Sequence, residues 1–82
     1  MKEVFLIGKV ISKVEFDFMI ESRYISIGRF YLETMDKKII EIKAYDNIAD
    51  FVYKKLIIGN IVFLYGRLNL DFVSAKIIKI LK

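Results

Sequence analysis

Hydrophobic and polar residues alternate along most of this chain, and the period of the alternation changes only in one stretch. From Val4 to about Asp17, the residues Val4, Leu6, Val10, Val14 and Phe16 fall on one face, and Lys9, Lys13, Glu15 and Asp17 on the other. A two-residue period predicts a long strand with one buried face, and Gly8 inside it predicts a bulge or sharp bend. A second run, Arg23 to Glu33, sets Tyr24, Gly28, Phe30 and Leu32 against Arg23, Ile25, Ile27, Arg29, Tyr31 and Glu33. The polar turn Thr34–Met35–Asp36 leads into a third run, Lys37 to Tyr45. There Ile40, Ile42 and Ala44 oppose Ile39, Glu41, Lys43 and Tyr45.

Between Asn47 and Ile58 the spacing becomes helical, with Ile48, Phe51, Val52 and Leu56 in one stripe. Asp46 is placed to cap this helix and Gly59 to stop it. Strand spacing resumes at Asn60, where Val62, Leu64 and Leu68 oppose Ile61, Phe63, Tyr65 and Arg67. Asn69–Leu70–Asp71 forms a tight connection, and Phe72 to about Leu81 forms the last strand. Three strands, one helix and two strands is the order of the five-stranded Greek-key OB barrel, an all-β fold. In it the helix plugs the barrel between strands three and four. One such domain takes up residues 1–82 and leaves no room for a second.

Composition narrows the chemistry. The chain has neither cysteine nor histidine, which removes thiol catalysis, disulfides and the commonest general base and metal ligands. It holds no glycine-rich phosphate loop and no nucleophile elbow. Two pairs of carboxylates lie close together. Glu15/Asp17 is read as a solvated strand edge, and Asp46/Asp50 as the polarised start of the helix. The expectation is a binding protein that is not an enzyme and uses no cofactor or metal. The longest uncharged stretch, Leu56 to Gly66, is eleven residues, too short for a bilayer. With no signal-peptide layout at the start, no membrane partner and a cytoplasmic location are expected.

Charge and hydropathy point to partners. Residues 1–50 carry eight Lys/Arg and nine Asp/Glu, a balance of −1, whereas residues 51–82 carry six and one, a balance of +5. A basic half suits a polyanion, and lysines of this kind also serve solubility alone. A mean hydropathy of +0.44 is more than one small core needs, so another copy of the chain is the simplest cover. A homo-oligomer, dimer or tetramer, is expected.

Residues 44–68 carry a more specific likeness. Tyr45, Ile48-Ala49-Asp50, Leu56, Gly59, Val62, Gly66, Arg67 and Leu68 fall in step with a segment typical of bacterial single-stranded-DNA-binding proteins. In that family an aromatic leads to a small-residue turn, Leu-Ala-Glu, a helix ending near Leu-x-x-Gly, then Val-x-x-x-Gly-Arg/Gln-Leu. Val4 to Val10 resembles the family's opening Val-x-Leu-x-Gly-Arg-Leu. Phe30-Tyr31-Leu32 resembles its second strand, and Val73, Ala75, Ile78 and Leu81 its last. The hairpin loops after strands two and four are short here, the chain stops at Lys82 without an acidic tip, and Ile39 stands at a family aromatic position. These features also make the chain similar to primosomal replication proteins, tailless OB dimers of replication restart.

The resemblance implies non-sequence-specific binding of single-stranded DNA, or RNA, in replication, repair or restart, and no tail-mediated recruitment of proteins. On an OB barrel the ligand crosses strands two and three, where stacking accepts any base. The candidate nucleic-acid contacts are Lys9, Lys13, Arg29, Tyr31, Lys43, Tyr45 and Phe72. Tyr45 takes a family position with a stacking role, or packs on the start of the helix; Tyr31 stacks or is partly buried. Phe72 stands near the family's second-hairpin aromatic. Ile61, Phe63 and Tyr65 form an apolar outer row that resembles the family's subunit interface, with a stacking platform as the other reading. A second function is a protein-interaction module or restart adaptor that binds nucleic acid weakly.

Overall fold

The computed structural model describes residues 2–20 and 24–82. They form β1 (Lys2–Val10), β2 (Glu15–Ile20), β3 (Tyr24–Thr34), β4 (Ile39–Tyr45), α1 (Asn47–Lys55), β5 (Ile61–Leu68) and β6 (Phe72–Ile80). Arg23, expected to open the second strand, lies outside the described residues. β1 pairs antiparallel with β5 over Lys2–Lys9 and, at Gly8–Val10, with β3 as well. β2 continues the ladder on β3, which pairs with β4. β4 runs parallel to β6 through Glu41–Lys43, and β6 returns against β5. The sheet closes on itself as a five-stranded OB barrel in which β1 and β2 together form the first barrel strand.

The expected single strand is therefore interrupted, and not where the glycine sits. Gly8 stays inside a regular ladder, and the break falls at residues 11–14. There the Ile11 N–H donates to the Tyr31 carbonyl at 3.0 Å, and the Tyr31 N–H donates to Ser12 Oγ at 2.8 Å. The serine hydroxyl takes the place of a ladder carbonyl, so the chain bends while Tyr31 keeps its bond. Gly8 instead serves a close crossing, because a Cβ there would lie 2.6 Å from the Glu33 carbonyl oxygen.

The alternation read from the sequence puts the right residues inside. Val10, Phe30, Leu32, Ile42, Ala44, Val62, Leu64, Val73 and Ala75 line the barrel, and Ala49, Val52 and Leu56 of the helical segment plug it. Three details differ. Ala49 is buried and Phe51 is left on the flank, because the helix lies so close to β3 that the Ala49 Cα is 3.5 Å from where a Gly28 Cβ would stand. Leu68 has inward parity but sits at the barrel mouth, 41% exposed. The helix ends at Lys55, not Ile58: Leu56 is extended, and the Gly59 N–H donates to the Val10 carbonyl at 2.8 Å, so β1 captures the chain before another turn can form. The left-handed Gly59 (φ 101°) belongs to this turn.

Asp46 also behaves differently from the cap it was expected to be. It sits at the N-cap position with φ 54° and makes no side-chain capping bond. Its N–H is committed to the Ser26 carbonyl at 3.0 Å, and that tie to β3 fixes a torsion only glycine adopts freely. Asp46→Gly should therefore stabilise the protein by about 1 kcal/mol. On β6 a bulge leaves Lys76 between the pairs Tyr65↔Ile77 and Gly66↔Ala75, and a Cβ on Gly66 would stand 2.3 Å from the Ser74 carbonyl oxygen. Gly66→Ala should cost about 2–3 kcal/mol and lower the melting temperature by on the order of 10 °C. Thermal denaturation followed by circular dichroism checks both, and the two variants should move in opposite directions.

Candidate nucleic-acid interface

The outer face of β2, β3 and β4 is a grid set by register. One row is Asp17–Ile27–Tyr45, the next Glu15–Arg29–Lys43, and the third pairs Tyr31 with Glu41, which lies opposite Phe72 on β6. Outward alternation brings Arg29, Tyr31, Lys43 and Tyr45 onto one surface, and the β4–β6 register adds Phe72. Tyr31 is 46% exposed, and Tyr45 is half-buried. The Lys43 ammonium lies 4.0 Å from the centre of the Phe72 ring, a cation–π contact that holds both side chains over the β4–β6 ladder. An open groove of about 570 Å³ runs between Asp17, Phe18, Ile25, Ile27, Arg29, Lys43 and Tyr45.

The two remaining lysines part company. Lys13, in the bend between β1 and β2, joins the face beside Glu15, Arg29, Tyr31 and Glu41. Lys9 pairs across strands with Glu33 and Ile61 and lines a separate hollow at the far end, with Thr34 and Met35.

Carboxylates are the part of this face that the sequence does not reveal. Arg29 Nη2 donates to Glu15 at 3.1 Å and stands 3.5 Å from Asp17. The pair is a solvated strand edge, with side chains 72% and 66% exposed on the last strand of the sheet, and it also ion-pairs with the most central cation. With Glu41 added, three carboxylates balance Lys13, Arg29 and Lys43. Alternation shows that Glu15 and Asp17 point outward; only the β2–β3 register shows that they meet Arg29. Phe18, 51% exposed at the groove, was likewise missed, because its parity matches the inward residues and only the position of β2 beside the groove exposes it.

The opposite outer face, on β1, β5 and β6, is apolar. Phe5 pairs with Tyr65, Ile7 with Phe63 and Lys9 with Ile61, and Ile77 flanks Tyr65. The Phe5 ring centre is 4.7 Å from that of Tyr65 and 6.0 Å from that of Phe63. Phe5, Ile7 and Ile77 are 69%, 48% and 47% exposed, so the row Ile61–Phe63–Tyr65 is the middle of a wider patch. At its rim the Tyr65 hydroxyl donates to Glu3 Oε1, and Lys76 pairs with Glu3 Oε2 at 3.1 Å. Among the described residues no group of His, Cys, Asp and Glu could hold a metal ion, and no helix is long and apolar enough to cross a membrane.

No protein-family model matches the chain, and no curated protein matches its sequence. Solved structures do match its fold. A single-stranded-DNA-binding domain from Synechococcus sp. superposes with a TM-score of 0.81 at 11% identity, over 95% of this chain and 93% of that one. Mitochondrial single-stranded-DNA-binding protein from S. cerevisiae gives 0.78 at 15%, over 99% and 94%. The dimeric N-terminal domain of PriB from Thermoanaerobacter tencongensis gives 0.69 at 19%, over 98% and 96%. The chain has the OB fold of these proteins.

The Glu3–Tyr65 contact makes a pH prediction. The Tyr65 hydroxyl, then Lys76, hold the Glu3 carboxyl below its ordinary range, while the bond to Glu3 raises the Tyr65 hydroxyl. Glu3 thus adds stability at pH values above the carboxylate range and loses it as pH falls through its lowered value. The contribution of Tyr65 is present below the tyrosine range and lost as pH rises through its raised one. Urea denaturation of Tyr65→Phe should give a flatter stability profile than the parent at both extremes and the same shape near neutrality.

Proposed function

We propose that this OB barrel binds single-stranded DNA without sequence specificity through the outer face of β2, β3 and β4, in replication, repair or restart in the cytoplasm. The observation that carries the reading is the placement of Tyr31 and Tyr45 around Arg29 and Lys43, on a barrel whose fold is that of two structures described as single-stranded-DNA-binding. Bases stack on the tyrosines, and Lys43 and Lys13 meet phosphates. Arg29 joins by releasing Glu15 or Asp17, and Phe72 holds Lys43 beside the path. Lys9 meets the strand only if it continues past Glu33. RNA would use the same contacts. The protein acts by binding and catalyses no reaction.

Stacking contributes about 1–3 kcal/mol per base, so Tyr45→Ala should weaken binding of a 30-nucleotide oligo-dT about tenfold or more. Lys43→Ala should reduce the slope of log K against log salt by roughly 0.7, the loss of one phosphate contact. Fluorescence anisotropy at several salt concentrations measures both. Unchanged affinity and slope would remove this face from the site.

The apolar face of β1, β5 and β6 forms the contact between copies of the chain. Ile61, Phe63 and Tyr65 are its centre, and Phe5, Ile7 and Ile77 extend it; an exposed apolar surface of this extent favours a covered state. In sedimentation the protein should run as a dimer or tetramer, and Phe63→Glu should shift it to monomer with its circular dichroism unchanged. A monomeric parent would free this face for another protein. That outcome favours the interaction-module reading, which the charge balance around Arg29 also supports.

A further inference from the structure

Beside Tyr31 lies a hollow of about 170 Å³ lined by Ser12, Lys13, Glu15, Arg29, Tyr31 and Glu41. Its contents are odd for a surface that serves phosphate alone. Glu41 is the direct cross-strand partner of Tyr31 and is half-buried, and its side chain makes no hydrogen bond or ion pair among the described residues. Paired positions in an antiparallel ladder hold their Cβ atoms about 5 Å apart, so a base stacked on the Tyr31 ring brings its edge to the Glu41 carboxylate. Arg29 stands on the other side. Both of its bonds to Glu15 and Asp17 are made by Nη2, so Nη1 and Nε keep donors for a ligand.

We propose that this hollow is a base-selective subsite that prefers guanine and disfavours thymine, with Glu41 as the residue that sets the choice. The inference rests on the single-strand-binding reading above and adds a discrimination to it. An ionised carboxylate only accepts hydrogen bonds, and its two oxygens match two donors side by side. Guanine presents that pair on its Watson–Crick edge, N1–H and the N2 amino group, with the O6 acceptor beside them for Arg29 or Lys13. Thymine presents two carbonyl oxygens and one N–H, so its carbonyls face the carboxylate unfavourably. A phosphate is repelled by Glu41 as well, which keeps the backbone at Lys13 and Lys43 and turns the base inward.

The test compares 30-nucleotide strands by anisotropy: oligo-dT, the same strand with single deoxyguanosines spaced apart so that no quadruplex forms, and that strand with deoxyinosine at those positions. The guanine strand should bind about tenfold tighter than oligo-dT, the order of one bidentate side-chain–base pair. Inosine, which keeps N1–H and O6 but lacks the amino group, should lose most of that gain. In Glu41→Ala, and in Glu41→Gln, which keeps the side-chain length and loses the second anionic acceptor, the guanine-to-thymine ratio should fall to near one. Equal binding of the three strands by the parent protein, or a preference for oligo-dT, overturns the subsite while leaving single-strand binding intact. A ratio preserved in both variants overturns the role of Glu41. Absence of binding to every strand overturns the subsite and the function on which it rests.

Discussion

A sheet has no edges only where it returns to its own first strand, and in this protein the return is made by residues 8–12. Gly8 and Lys9 are paired on both sides, to β5 and to β3, and Val10 to β3. Val10 also ties down the segment after the helix: its N–H donates to the Asn60 carbonyl and its carbonyl accepts from Gly59, both at 2.8 Å. One residue later the backbone must leave the ladder, and Ser12 supplies the acceptor that makes leaving possible. Backbone groups enclosed without partners cost several kcal/mol, so the geometry of this seam constrains everything downstream. It stops the helix at Lys55 and fixes which side chains of β2 face Arg29.

The two outer faces follow from the same alternation with different residues. On β3 and β4 the outward positions mix tyrosines and charges with Ile25, Ile27 and Ile39; on β1 and β5 they are mostly phenylalanines, isoleucines and a tyrosine. Each face is coherent because strands pair in one register, so a single residue of slippage would turn the core outward and both faces inward. A chain this small cannot hide a second apolar layer. Part of its hydrophobic surplus, Phe5, Ile7 and Ile77 among others, therefore stays exposed on one outer face, while the other carries most of the charges.

Much of this was legible in the sequence because inward and outward parity survives any error in strand boundaries. Val10, Phe30, Leu32, Ile42, Ala44, Val62 and Leu64 are buried whether or not the first strand is broken. Other features depend on pairing between distant segments and carry no local signal. The carboxylates of Glu15 and Asp17 meet Arg29 across 14 and 12 residues. Phe51 and Ala49 both fit an apolar helical stripe, and the closeness of Gly28 chooses the smaller. Asp46 has the composition of a cap but not the backbone of one, since a strand it does not belong to holds its N–H. The bulge at Lys76 left no mark beyond a lysine in a strand that alternates regularly before it.

The parallel pairing of β4 with β6 is as short as that of β1 with β3, three residue pairs, spanning Glu41↔Phe72, Ile42↔Val73 and Lys43↔Ser74. It joins segments about thirty residues apart, a loop whose entropy must be spent before the contact returns anything. Held by so few residue pairs, a join of that kind parts easily when the native state breathes. Lys43 and Phe72 sit on top of it. In the binding proposed above, a phosphate drawing the ammonium off the ring would pull at this short join, and a strand spanning both sides would clamp it shut. Under that proposal, ligand occupancy and the lifetime of the closed barrel would become a single equilibrium.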